Sequence, residues 1–336
     1  MTLKEISKLA GVSPSTVSRI INKSTPKPAS REVEEKVWKI VNETGYTPNT
    51  FAKALKCGEG EFQKTHNIAC LQARRYDINE SSFFSNLANC IQKEAYANGF
   101  MIKYSFTVKE IDEELKKKLL QDKIQIVVVL GRLEKQTYAI LKKLFKYIIC
   151  IGLNELDFPC DQIICSGERA GKQATEFLIQ LNHQKIAYIG EMVNEKRFRG
   201  YYEALRKYHI PYNREYAINI FATVENGQEA TVKLLEKHKE VTAIFCMNDT
   251  VAIGVLQGIK DVGLKSPEDI SVISVDNIEK IGYLSPLLTT INIPTEEMAK
   301  LAIKFLSNRI EQGHHLPITV LVPFNLVKRE SHRKIR

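Results

Sequence analysis

The chain has 336 residues, more than one domain usually holds, and its 44% hydrophobic and 26% charged residues are an ordinary globular composition, so two or three packed units are expected. No apolar run approaches the ~20 residues that a bilayer requires, and the opening Met1-Thr2-Leu3-Lys4-Glu5 is polar and helix-like rather than a basic-then-apolar export signal. No membrane contact and a cytoplasmic location are therefore expected. A net charge of +9 suits a polyanionic partner, but solvated faces carry such charge equally well, so the charge alone decides nothing.

Residues 1–58 carry four short helix-like segments, broken by Gly11-Val12-Ser13, by Pro26-Lys27-Pro28 and by Gly45-Tyr46-Thr47-Pro48. Thr2 and Glu5 form a T-x-x-E capping box on the first helix, and Ile6 and Leu9 are its expected apolar face. Ala10-Gly11-Val12-Ser13 then supplies a small residue, a glycine able to turn left-handed, a core valine and an N-cap, with Pro14 at the first position of the next helix. This is the pattern of a helix-turn-helix. Its second helix, from Pro14 to about Asn22, is expected to bury Val17, Ile20 and Ile21 and to turn Ser15, Thr16, Ser18 and Arg19 outward. Small hydroxyls and one arginine suit a DNA groove, where arginine can bond guanine edges. An ordinary three-helix bundle with a polar face would show the same surface.

Residues 59–65 are polar, contain glycine and lack periodicity, which makes them a linker. From 66 to 336 short apolar runs, clearest at 68–71, 124–130, 147–151, 186–189, 243–246 and 270–275, alternate with amphipathic helical stretches. Continuous apolar strands between helices indicate parallel sheets buried on both faces, and the length calls for two α/β lobes. Gly99, Gly190 and Gly263 fall near element ends, where a left-handed cap or tight turn is wanted. The seven cysteines (Cys57, Cys70, Cys90, Cys150, Cys160, Cys165 and Cys246) are odd in number, form no C-x-x-C pair and sit mostly in apolar runs, so they read as buried free thiols rather than bridges or zinc ligands. Neither a metal nor a cofactor is expected.

The run Thr2-Leu3-Lys4-Glu5-Ile6-Ser7-Lys8-Leu9-Ala10-Gly11-Val12-Ser13-Pro14-Ser15-Thr16-Val17-Ser18-Arg19-Ile20-Ile21-Asn22 closely resembles the N-terminal signature of the lactose/galactose repressor (LacI/GalR) family. The likeness continues through Glu35-Lys36-Val37, Gly45-Tyr46-Thr47-Pro48-Asn49 and Ala52-Lys53-Ala54-Leu55 and extends over essentially the whole chain. It implies a helix-turn-helix headpiece with a hinge helix (1–58) and a two-lobed, periplasmic-binding-protein-like core of parallel α/β sheets that binds an effector and dimerises (66–336). By the resemblance Pro14, Ser15 and Arg19 would read bases of double-stranded operator DNA, while Thr2, Ser13, Thr16 and Asn22 would position the backbone. Proline donates no hydrogen bond, so Pro14 would offer apolar contact only. Leu55, with Lys56 beside it, matches the hinge leucine that wedges into the minor groove, and such a wedge unstacks a base step at a cost of a few kcal/mol while the bend admits further contact.

In the core, Arg197 matches the arginine of the family's R-x-x-G-[FWY] motif at the effector cleft, where a guanidinium fork offers several donors to hydroxyls or a carboxylate. Asn248-Asp249 follows a strand and opens a helix, where open α/β sheets place ligand groups, although Asp249 could simply cap that helix. Asp276 matches the aspartate that accepts from ligand hydroxyls in sugar-binding members, and Phe221 is the candidate aromatic to stack on the effector, though it stands one residue further from Gly227 than is usual. Ser166-Gly167 also stands where many members carry Asp-Asn, a departure that implies an effector held differently from theirs. The segment from Pro286 to Ser331 looks most like regulators of galactose and β-galactoside use, which favours a sugar effector over a purine. No leucine heptad follows it, and a homodimer is expected rather than a tetramer.

An enzyme and a DNA-independent sugar-binding protein are the competing functions. Gly167-Glu168-Arg169-Ala170-Gly171-Lys172-Gln173 approaches a P-loop but is one residue short and lacks the Ser/Thr after lysine, and G-x-G-x-x-G, G-x-S-x-G and H-E-x-x-H are absent from the sequence. A sequence-specific transcriptional regulator, a repressor whose operator affinity responds to a small molecule, is the reading that uses all the motifs.

Overall fold

A computed structural model describes residues 3–22, 29–44, 66–73 and 82–335. The chain folds as two compact units, 1–64 and 65–336. The first contains α1 (Leu3–Ala10), α2 (Pro14–Asn22) and α3 (Arg31–Thr44) among its described residues. Gly11 adopts φ +72 and releases the chain from α1, while Ser13 caps α2. Ile6, Ala10, Val17, Ile20, Val37 and Val41 form the buried core, and each of the larger ones contributes roughly 1.5–3 kcal/mol by leaving water. Leu9 departs from the sequence expectation. It is 56% exposed, because residues 6 and 10, one turn apart, form the face that α1 buries, and position 9 falls beyond its edge. The fourth helical segment expected before residue 58 lies outside the described residues, as does the capping residue Thr2.

The second unit contains two lobes, each built on a sheet of six strands among the described residues. The first lobe's strands run β11-β5-β4-β3-β1-β2: β1 (His66–Ala73), β2 (Phe100–Thr107), β3 (Ile126–Gly131), β4 (Tyr147–Gly152), β5 (Asp161–Ile164) and β11 (Thr319–Leu321). The second lobe's run β12-β10-β9-β8-β6-β7: β6 (Ile186–Gly190), β7 (Ala217–Asn219), β8 (Ala243–Cys246), β9 (Ser271–Asp276), β10 (Thr289–Asn292) and β12 (Asn325–Val327). The two orders are the same once β1 is matched to β6, β3 to β8 and β4 to β9. All pairings are parallel except β10 with β12. The chain passes between lobes after β5, after β10 and after β11.

Helices α4 (Ser82–Ala97), α5 (Glu113–Gln121), α6 (Lys135–Leu144) and α11 (Thr295–Ile310) serve the first sheet, and α7 (Gly167–Gln180), α8 (Lys196–Lys207), α9 (Val224–Lys237) and α10 (Asp249–Asp261) the second. Continuous apolar strands are required because successive side chains meet different layers. Ile68, Cys70, Val128 and Leu130 face one hydrophobic cluster, while Ala69, Leu71, Val127 and Val129 face another. In the second lobe α7 and α8, and likewise α9 and α10, touch backbone to backbone. A Cβ on Gly200 would stand 2.1 Å from the Glu168 carbonyl oxygen, and one on Gly254 would stand 1.9 Å from that of Val224.

The six cysteines among the described residues are free thiols, five of them buried and Cys90 half-buried. Among the described residues no helix is long and apolar enough to cross a membrane, and no group of three or more His, Cys, Asp and Glu side chains could hold a metal.

Candidate functional site

The carboxyl ends of the central strands of both lobes open onto a cleft of about 940 Å³. The first lobe lines it with apolar side chains, among them Phe83, Phe84, Leu133, Leu153 and Phe158, the last stacked on Tyr138 with ring centroids 4.7 Å apart, and with polar and charged ones, among them Asn154, Lys109, Lys135 and Asp157. The second lobe contributes the polar floor: Glu195, Arg197, Asn248 and Asp276. Three of the four effector candidates read from the sequence are thus brought together. Phe221 is not among the residues lining this cleft; it lies 56% exposed between β7 and α9.

Arg197 opens α8 and is buried, and its fork grips Glu195 through Nε (2.7 Å to Oε1) and Nη2 (3.1 Å to Oε2). The Arg197 amide donates to the same Oε1 at 3.0 Å, so Glu195 also caps the helix. Burial alone would raise the Glu195 carboxyl, but the guanidinium of Arg197, with Arg132 behind it, reverses this and holds the carboxyl below its ordinary range. The remaining nitrogen, Nη1, faces Asp276 with 3.9 Å to Oδ1, too far for a hydrogen bond. A ligand hydroxyl could bridge that gap, accepting from the arginine and donating to the carboxylate.

Asp276 ends β9 with φ 122, and Asn277 follows with φ 59, both in the left-handed region that favours glycine. Such strain persists only where the surroundings fix it. Asp249 does so from beneath: its Oδ2 accepts the Ile278 amide at 2.8 Å, and its Oδ1 accepts the hydroxyls of Ser274 and, at 2.8 Å, Thr290. Asn277 is held in turn by Arg329 Nη2 (2.7 Å) and by its own bond to Asn292 (2.9 Å). Burial pushes the Asp249 carboxyl up to about 6, against the hydrogen bonds from Ser274 and Ile278. The cap of α10 is instead Asn248, whose Oδ1 accepts the Val251 amide at 3.0 Å, leaving its amide group as the donor it can offer the cleft.

Ser166 and Gly167 have structural roles. Ser166 caps α7, and a Cβ on Gly167 would meet the Leu153 carbonyl oxygen at 3.1 Å and the Arg197 stem at 3.5 Å. The P-loop-like glycines are likewise explained by packing, since a Cβ on Gly171 would stand 2.2 Å from the Arg197 carbonyl oxygen. Sequence reading missed Glu195, Arg132 and the three cleft phenylalanines. Only Glu195 left a local signal, an acidic residue two places before Arg197 at a helix start.

In the first unit, Ser13, Pro14, Ser15 and Arg19 are exposed and Thr16 is half-buried. The hydroxyls of Ser13, Ser15 and Thr16 cluster at the start of α2, with Ser13 Oγ 2.7 Å from Ser15 Oγ and 2.8 Å from Thr16 Oγ1. Arg19 follows Ser15 by one turn. Donors and a helix N-terminus together suit a phosphate, and the arginine a base edge. Asn22 ends α2, its side chain outside the described residues, where Thr2, Leu55 and Lys56 also lie.

Residues 2–49 match the family described as bacterial regulatory proteins, lacI family, and residues 175–332 match the periplasmic binding protein-like domain. The HTH-type transcriptional repressor PurR of Vibrio vulnificus is 31% identical over 344 residues, covering 99% of both chains. PurR of Aliivibrio salmonicida is 30% identical, covering 94% of this chain and 93% of its own. Among solved structures, a LacI family transcriptional regulator from Enterococcus faecium with bound ribose superposes with a TM-score of 0.70 at 25% identity, covering 80% of this chain and all of that one. The lac repressor dimer bound to operator and an anti-inducer shares the fold over 99% of each chain, at 24% identity and a TM-score of 0.68. The helix-turn-helix, the two-lobed core and the full-length likeness to a repressor agree: the chain belongs to the LacI family of bacterial regulatory proteins, DNA-binding regulators of transcription.

Proposed function

We propose that this regulator is a cytoplasmic, non-enzymatic homodimeric repressor whose grip on a pseudo-palindromic operator is set by a sugar in the cleft of the core. The observation that carries the sugar class is the pairing of Arg197 and Asp276 across 3.9 Å, with Asn248 beside them, opposite walls of Phe83, Phe84 and Phe158. A pyranose or furanose presents hydroxyls at its rim and apolar C–H groups on its faces, and this cleft offers both, with a hydrogen-bonding floor on the second lobe and rings beside further polar groups on the first. The E. faecium regulator at 25% identity carries ribose. The two curated relatives at 30% identity or more cited above are PurR repressors rather than regulators named for galactosides, so the sugar class rests on the cleft itself.

Arg197, Asn248 and Asp276 are the proposed effector contacts. Ser13, Pro14, Ser15, Thr16 and Arg19 form the proposed DNA surface, with Thr2, Asn22, Leu55 and Lys56 added from the sequence. In this scheme the sugar closes the cleft, and closure changes whether paired hinge helices form on DNA, so the two binding equilibria are coupled. A dimer sets half-sites about one helical turn apart. Isothermal titration of the full chain with galactose, lactose, cellobiose and ribose tests the effector class. At least one should bind, and Asp276→Asn should weaken it at least about tenfold through loss of a charged acceptor; binding unchanged by that variant would remove Asp276 from the site. Leu55→Ala should weaken specific DNA binding more than nonspecific binding, and equal losses on both DNAs would remove the wedge.

A further inference from the structure

Glu195 is shared by two arginines that come from opposite lobes. Arg197 belongs to its own lobe, whereas Arg132 is the first residue after β3 of the other. Gly131, at φ 103, turns the chain there, and the Arg132 amide is tied to the Ala73 carbonyl oxygen at 3.1 Å. From that fixed point the Arg132 side chain reaches across the cleft. Its Nη2 lies 2.6 Å from Glu195 Oε2 and its Nη1 donates to the Val193 carbonyl oxygen at 3.2 Å. This crossing is additional to the three covalent passages between the lobes.

We propose that Arg132 is a positioning residue, a releasable latch that holds the lobes together over the effector by gripping Glu195 and the Val193 carbonyl, without itself touching the effector. The inference rests on the effector cleft proposed above. Three features make the pair a latch rather than a fixed strut. Arg132 is the more exposed partner, with 32% of its side chain open to solvent against 1% for Glu195, so it can be rehydrated when the lobes part. Glu195 keeps Arg197 when Arg132 leaves, so opening strands no uncompensated buried charge, which is what makes most buried pairs costly to break. The grip on Val193 and Glu195 also falls immediately before Arg197, so re-forming the latch returns the loop that positions the effector-binding arginine.

The test compares full-length wild type with Arg132→Gln and Arg132→Lys by amide hydrogen exchange in the absence of any sugar, following residues 131–135 and 191–197. Exchange reports local opening directly. Arg132→Gln should speed exchange on both sides of the cleft about five- to tenfold, the scale of a lost coupling between sites, and Arg132→Lys, which keeps the charge, should restore most of the protection. The melting temperature should remain near that of wild type, because Glu195 retains Arg197. Unchanged exchange in Arg132→Gln would overturn the latch. Titration with galactose, lactose, cellobiose and ribose then separates latch from contact: the affinity loss should be the same for every sugar that binds, and a loss confined to one sugar would make Arg132 an effector contact and overturn the proposal. If none of these sugars binds wild type, the sugar assignment falls while the exchange measurement still decides the latch.

Discussion

The two lobes share one strand order yet divide the chemistry unequally. The second lobe holds the polar floor (Arg197, Glu195, Asn248, Asp249 and Asp276) and fastens its helices backbone to backbone at Gly200 and Gly254. The first lobe lines the cleft with rings and aliphatic side chains, interspersed with Asn154 and with exposed charged residues such as Lys109, Lys135 and Asp157, and sends one arginine across to Glu195. The difference follows from what each surface must do. Buried charges need fixed partners and rigid backbone, because a misplaced buried charge costs several kcal/mol. An apolar wall tolerates approach and withdrawal, since its attraction is non-directional. One lobe is therefore expected to fix the geometry of the effector and the other to cover it.

The sharpest way to break this comparison is Arg197→Ala, which, unlike loss of the more exposed Arg132, removes a buried guanidinium that faces two buried carboxylates, Glu195 and Asp276. It should cost about 3–5 kcal/mol in core stability as well as effector binding. Denaturant unfolding measures the first, and a loss under ~1 kcal/mol would show that the floor is not organised by this pair. Next in size, Gly254→Ala should lose about 3 kcal/mol by forcing α9 from α10. In the first lobe a Cβ on Gly152 would stand 3.2 Å from the Gly131 carbonyl oxygen, and Gly152→Ala should cost only about 1 kcal/mol. Equal losses would erase the contrast in backbone packing.

Asp249 sharpens the comparison through pH. Its folded value of about 6 lies above the ordinary 3.8, so the native chain binds more protons than the unfolded one between those values. Its contribution to stability is then fully present below about pH 4 and is lost as pH rises through 6, roughly 3 kcal/mol in all. Asp249→Asn should flatten the stability profile in that window, and a profile with the wild-type slope would assign the titration to another group. The smallest effect is expected at Phe158. Phe158→Ala should weaken sugar binding only about fivefold, the scale of one lost aromatic contact, with little change in which sugar is preferred, whereas a switch of preference would give the covering lobe a share in selection.

Much of this architecture is legible in the sequence because it is local. The largely apolar runs at 124–130, 147–151 and 270–275 fall on β3, β4 and β9, and Gly11, Gly99 and Gly263 adopt the left-handed conformation their positions call for. β2 is harder to read because it lies at a sheet edge and alternates buried with exposed residues. β5 begins with a buried Asp161 whose partner, Arg309, lies 148 residues away. The site divides in the same way. Arg197 and Asp276 stand in recognisable motifs, but Glu195 acquires its second arginine across 63 residues, and Asp249 serves a turn 29 residues on. Pairings over such distances leave no periodicity in the chain.

The most direct test is a fluorescence-anisotropy titration of the full chain against a pseudo-palindromic site selected from random DNA, at fixed salt, with and without galactose, lactose, cellobiose and ribose. Effector control by a sugar predicts tight specific binding that at least one of these sugars shifts by about fivefold or more. Specific binding that is identical in the presence of a sugar shown by calorimetry to occupy the core would contradict it.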